Sequence, residues 1–207
     1  GEQPGSPYLA LAAELRALLE RYWAAWARED LDGALACVSA AEDSHTAMRD
    51  FLQRNFDAND THRYVVEKFA VRNLWDDRAI TRSLIRSFVT PNGAVKPEEG
   101  LQHWDFSHVL ENGEWRIRGF RRVEAYLLER FRNAEDAAAR AELLEDEREV
   151  VSGWLPLALR EEANQLSAGS PDEKALEEAE RVATIAFEAA EWMNDDYERA
   201  YCHLMRG

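Results

Sequence analysis

The spacing of hydrophobic positions changes twice along this chain. From residue 8 to 28 they recur every three or four residues. Leu11, Leu15, Leu18, Leu19, Tyr22 and Trp26 share one face, which predicts an amphipathic helix. Asp30 is placed to cap a second helix over 31–40, with Leu35 and Val38 inward. Ser44 is placed to cap a third over 45–56, with Met48, Phe51, Leu52 and Phe56 inward. Four runs follow, 63–75, 78–90, 101–110 and 114–123, rich in β-branched and aromatic residues. They predict strands. Asp76-Asp77 is a polar break between the first two. Residues 91–100 carry two Pro and two Gly and predict a loop. Asn112-Gly113 joins the last two as a tight hairpin, because both residues accept positive φ.

The second run alternates in an unusual way. Ile80, Leu84 and Phe88 share a face with Arg82 and Arg86, while Thr81, Ser83, Ile85, Ser87 and Val89 share the other. In the last run Trp115 and Ile117 point to one side and Arg116 and Arg118 to the other.

After residue 124 the helical spacing returns. Leu127, Leu128, Phe131, Ala138, Ala141 and Leu144 suit one or two helices, with Asn133 as a break. Ser152 can cap a helix over 152–168. Ser170-Pro171-Asp172-Glu173 is a start signal for another over 171–193, whose stripe is Val182, Ile185, Ala186, Ala189 and Met193. Asn194-Asp195-Asp196 then turns the chain into a last helix over 197–206.

A sheet with one apolar face needs cover from helices. The expected fold is therefore α+β: N-terminal helices packed on a curved antiparallel sheet, cone-shaped, followed by an all-α C-terminal helical hairpin extension. Residues 1–7 read as a linker or cloning remnant, 8–125 as the α+β domain, 126–151 as connecting helices and 152–207 as a further helical segment.

Composition narrows the function classes. The formal charge of −15 is uneven. Residues 1–124 carry 16 basic and 20 acidic side chains, net −4, and residues 125–207 carry 9 and 20, net −11. Nucleic-acid affinity comes largely from neutralising phosphates, so no nucleic-acid partner is expected. No run approaches the roughly 20 apolar residues of a membrane-spanning helix. Cys37 and Cys202 lie far apart and read as small buried hydrophobes rather than a disulfide. They leave the compartment undecided, either cytoplasmic or exported with a signal removed. The five histidines show no metal-ligand spacing, and there is no Gly-rich phosphate loop or nucleophile elbow. No metal and no cofactor are expected.

The stretch LRALLERYWAAWAREDLDGAL, followed later by VLENGEWRIRGF, resembles the nuclear transport factor two-like superfamily, which includes polyketide cyclases and ketosteroid isomerases. The similar features are Tyr22, Trp23 and Trp26, the Asp30-Leu31-Asp32 helix start, and Asn112-Gly113 with Trp115. The resemblance implies a pocket on the concave side of the sheet. It also implies a short strand between helices two and three, for which only 41–43 is available. The segment ALEEAERVATIAFEAAEWMNDDYERAYCHLMRG is similar to a tetratricopeptide repeat's second helix, its turn and the next repeat's opening. The order of parts resembles bacterial multi-domain proteins that set such a domain before a repeat array. The chain then reads as a truncated piece of a larger scaffold.

His103, Asp105 and Ser107 alternate on one strand face. If that face lines the pocket the resemblance implies, Asp105 is a candidate general base with His103 its partner. Tyr22, Trp26, Tyr64 and Asp105 are then the candidate ligand-binding residues. Alternation alone makes the same face solvated, because Trp104, Phe106 and Leu110 occupy the other. Arg82, Arg86, Arg116, Arg118, Arg121 and Arg122 make the sheet locally basic, either an anion site or a solvated face.

The leading expectation is a non-enzymatic ligand- or protein-binding module at the N-terminus of a helical-repeat scaffold. It would take a small hydrophobic ligand in the cone and a protein partner on the helical tail, whose exposed edge would allow a homodimer. The alternative is an isomerase, cyclase or dehydratase acting through Asp105 and His103. The two differ in whether the cone is open with polar groups converging inside, or filled by Trp23, Trp26, Trp104 and Trp115.

Overall fold

A computed structural model describes residues 7–151 and 154–193. It divides into two compact units, residues 1–123 and 124–207.

The first unit opens with α1, Pro7–Trp26, whose Leu15, Leu18, Leu19, Tyr22, Trp23 and Trp26 are buried. Glu29 takes positive φ, at 54°, just beyond the helix. Asp30 then caps α2, Leu31–Leu35, by accepting the Gly33 N–H at 2.8 Å. This helix is half as long as its pattern predicts. The Ser39 N–H donates to the Ile117 carbonyl, and the Ile117 N–H donates to the Cys37 carbonyl, each at 2.8 Å. Val38 thereby bridges Ile117 in parallel. Helix through residue 40 would leave those buried backbone groups without partners. The short strand expected at 41–43 thus lies a few residues earlier. Ser39 and the Ala40 N–H both donate to the Glu111 carboxylate and fix the segment to the hairpin.

Helix α3, Glu42–Ala58, starts before Ser44. Ser44 therefore lies inside the first turn, its N–H donating to Asp43. Glu42 and Asp43 supply negative charge where the helix dipole favours it.

Four strands follow: β1 Asn59–Leu74, β2 Arg78–Pro91, β3 Glu98–Glu111 and β4 Glu114–Arg122. They form an antiparallel meander in the order β1-β2-β3-β4. Strands β1 and β3 begin several residues before their hydrophobic runs, because pairing with β2 extends through polar residues there. Asn112 and Gly113 have φ of 53° and 82°, as the hairpin turn requires. Register shifts at 66–68, 71–73 and 107–108 bend the strands.

One face of the sheet meets the helices. Ala79, Ile85, Phe106, Trp115 and Ile117 join the α1 residues in one core, with Tyr64, Trp104 and Phe120 packed against it. The shift between β3 and β4 decides a further point. Ser107 pairs with Gly119 and His108 with Ile117, so Arg118 is the extra residue. Beyond it the side-chain parity of β4 reverses. Phe120 turns in towards the core, and Arg121 turns out.

In the second unit, α4 is Val123–Asn133, α5 Ala137–Asp146, α6 Trp154–Leu166 and α7 Glu173–Trp192. Asn133 ends α4 as expected. Leu155, Leu159 and Ala163 of α6 and Val182, Ile185, Ala186 and Ala189 of α7 are buried, and the two helices pack as a hairpin. The N-cap of α7 is Asp172, not Ser170, and it accepts the Ala175 N–H at 2.8 Å. Its carboxylate can both cap and complement the dipole, which a serine cannot. Arg140 ties α5 to α7 through paired bonds to Glu188, at 2.6 and 3.0 Å. The expected cap at Ser152 and helix over 197–206 lie outside the described residues. Among the described residues no helix is long and apolar enough to cross a membrane.

Candidate functional site

The stripe of α1 carries Trp23 and Trp26 to the inner face of the sheet, and α3 carries Phe51 beside them. Their rings join two from the sheet in a closed circuit. Centroids lie 5.3 Å apart from Trp23 to Trp26, 5.8 Å on to Phe51, 5.3 Å on to Phe120, 5.2 Å on to Trp104 and 6.4 Å back to Trp23. Tyr64 of β1 rests on the circuit, 4.4 Å from Trp23 and 5.2 Å from Trp26. Contacts of this kind contribute about 0.5–1.5 kcal/mol each beyond their buried area.

These six rings line a cavity of about 190 Å3. Its aliphatic wall is Ile85 and Val89, and its polar side chains are Asn55, Ser87, Gln102 and Tyr64. Among the described residues lining it there is no carboxylate, ammonium, guanidinium or imidazole. Burial pushes the Tyr64 phenol well above its ordinary value, so it stays a neutral donor. The Asn55 amide donates to the Phe51 carbonyl at 2.8 Å, which leaves its oxygen as an acceptor. The buried indole N–H of Trp23 has no hydrogen-bond partner and sits among neighbouring rings.

Of the candidate ligand-binding residues, Trp26 and Tyr64 line this cavity. Tyr22 does not. It is fully buried behind the circuit, 5.1 Å from Trp23, and its hydroxyl contacts the Met48 sulfur at 3.3 Å. Trp115, expected to fill the cone, lies in a separate groove beside Leu18, Ala25 and Cys37. Burial pushes the Cys37 thiol up, partly offset by Arg21 and Arg116.

Asp105 and His103 alternate with Trp104 and Phe106 on β3, so they occupy the opposite face. The structure does not bring Asp105 to Tyr22, Trp26 and Tyr64. Nor is Asp105 solvated; it is 5% exposed. Arg82 donates to both its oxygens, Nε to Oδ1 at 2.8 Å and Nη2 to Oδ2 at 3.1 Å. Arg121 adds contacts to Oδ2 at 3.4 and 3.2 Å. Arg86 likewise bridges Glu67 and Glu99 on this face. Arg82, Arg86 and Arg121 are thus partnered across strands.

Two histidines that the sequence did not single out lie on the inner face. His108 follows Phe106 by two residues, is buried, and meets the Thr81 hydroxyl at 2.8 Å through Nε2. Burial pushes its imidazole down to about 4, so it is neutral near pH 7. His62 is buried among Trp26, Phe56 and Tyr64, and burial lowers its pKa too. Strand parity with Phe106 and Tyr64 was the available signal for both. No group of three or more His, Cys, Asp or Glu side chains among the described residues could hold a metal ion.

A Novosphingobium aromaticivorans protein provisionally named a scytalone dehydratase superposes with a TM-score of 0.50 at 11% identity, over 56% of this chain and 86% of its own. The N-terminal unit has the nuclear transport factor two-like fold. A provisionally named aromatic ring hydroxylase from the same organism gives 0.49 at 15% identity, over 57% of this chain and 89% of its own. The Mycobacterium tuberculosis protein Rv3472, of unknown function and solved as a single-substitution variant, gives 0.48 at 19%, over 72% and 96%. At such identities the likeness concerns fold. No protein-family model and no curated protein matches the chain. In nuclear transport factor two-like terms, the aromatic cavity lies on the helix-facing side of the sheet, and Asp105 lies on the other.

Proposed function

We propose that the N-terminal unit is a binding module for a small, flat, largely apolar ligand. The observation that carries this reading is the closed circuit of rings around a cavity lined by uncharged side chains. A ring-sized ligand that loses about 200 Å2 of apolar surface gains about 5 kcal/mol at about 25 cal/mol/Å2. Before the cost of association that corresponds to a Kd of about 0.2 mM, so weak binding, submillimolar at best, is expected. A titration of intrinsic tryptophan fluorescence with naphthalene-sized rings tests it. The wild type shows a saturable change, and a variant with the cavity filled, Ser87→Phe, does not. Equal responses in both, or none in the wild type, would overturn the reading.

The helical unit is, on this proposal, the platform for a protein partner and the start of a repeat scaffold of tetratricopeptide type. Its support is the hairpin of α6 and α7, where buried Ala179, Ala183, Ala186 and Ala190 permit close helix packing.

A second reading is a dehydratase or isomerase acting through Asp105 and His103. It is favoured by the recess of about 350 Å3 in which Asp105 lies with Ser107 and Arg121. Both oxygens of the Asp105 carboxylate are already engaged by guanidiniums, so this reading ranks second. Turnover of enolisable ketones or hydroxylated aromatics, lost on His103→Ala, would reverse the order.

A further inference from the structure

We infer that Gln102 selects a cyclic amide, a planar nitrogen heterocycle with an N–H beside a C=O, as the ligand class of the aromatic cavity. This rests on the cavity being a ligand site. Gln102 pairs with Ile85 across β2 and β3 and precedes Trp104 by two residues, so both side chains share the inner face. Both line the cavity. No group among the described residues hydrogen-bonds the Gln102 amide. A carboxamide presents a donor and an acceptor side by side in one plane. Its complement is a flat edge carrying an acceptor beside a donor, the geometry by which Gln reads a purine edge. The surrounding rings supply stacking faces for the rest of such a heterocycle. The lining carries no charge to attract an ion. The remaining polar atoms fit the same class. Asn55 offers an acceptor and Tyr64 a neutral donor within the same lining. A ketone or phenol uses only one of the two functions of Gln102 and leaves the other unsatisfied, which costs affinity.

The probes are 2-quinolone, N-methyl-2-quinolone and naphthalene, titrated against the full chain by tryptophan fluorescence. The N-methyl compound keeps the ring and the carbonyl but removes the donor. The expected result is that 2-quinolone binds at least about tenfold more tightly than naphthalene, as two added hydrogen bonds allow, and about fivefold more tightly than the N-methyl compound, which lacks one of them. Gln102→Met keeps the length of the side chain and removes both functions. Far-UV circular dichroism matching the wild type confirms its fold, and the preference should then vanish while naphthalene binding persists. The comparison among probes on the wild type stands even if that variant does not fold. If all three bind the wild type equally, the inference fails while the binding module survives. If none binds, both fail. A preference for 2-quinolone that survives in folded Gln102→Met also overturns it.

Discussion

Arg82 and Asp105 face each other across β2 and β3 and join through two parallel hydrogen bonds, with both side chains under a tenth exposed. Such a pair adds little over an apolar pair of the same shape, but breaking it leaves a buried charge. Asp105→Asn is therefore expected to lose about 3–5 kcal/mol of unfolding free energy in urea. The double variant Arg82→Met/Asp105→Leu should recover most of that loss. Arg121→Ala should cost about 1 kcal/mol or less, because its side chain is 46% exposed. Similar stability of Asp105→Asn and wild type would remove Asp105 from the structural role.

Gly113→Val is expected to destabilise the first unit by about 1–3 kcal/mol, since a β-branched residue resists the φ of 82°. Space is not the cause, because a Cβ there meets nothing within 4 Å. Gly113→Asn should therefore cost less than Gly113→Val. Thermal melts of the three proteins decide it, and equal losses for both variants would point to sterics instead.

The helices and the last hairpin were legible because their signals are local. The α1 stripe from Leu15 to Trp26 is buried as its spacing predicts, and Asn112-Gly113 turns as its dipeptide predicts. What was hidden depends on distant pairing. Nothing near Val38 announces that Ile117 will claim its backbone. The extra residue Arg118 appears only in the β3–β4 register, yet it sends Phe120 into the aromatic circuit and Arg121 to Asp105. Simple alternation from Trp115 and Ile117 assigns both to the wrong faces. On β2 the two faces carry similar apolar content, so only the partners of Thr81 and Arg82 show which is inner. Trp26 and Tyr64 were readable as residues of the cavity lining, whereas Gln102 was not, since one amide on a strand carries no pattern.

Acid should weaken the first unit before its carboxylates titrate. The folded state holds His108 neutral, with its value lowered from 6.5 to about 4 by burial. The unfolded chain then binds the proton more readily. This stability is fully present above pH 6.5 and is lost as pH falls through 6.5 towards 4, for a total of about 3 kcal/mol. His62 shifts in the same direction and adds to the loss. Urea midpoints should fall between pH 7 and pH 5, and His108→Gln should flatten that fall. Equal midpoints at pH 7 and pH 5 in the wild type would contradict the burial of a neutral imidazole.

Entry of a flat ligand into the ring-lined cavity is reported site by site by the indole N–H resonances. In a titration with 2-quinolone followed by 1H–15N correlation spectra, the signals of Trp23, Trp26 and Trp104 should move together and saturate. Those of Trp75, which is 52% exposed, and Trp115, in its separate groove, should stay in place. Shifts confined to Trp75 or Trp115, or no saturable shift at Trp23, Trp26 and Trp104, would rule out the ring-lined cavity as the ligand site.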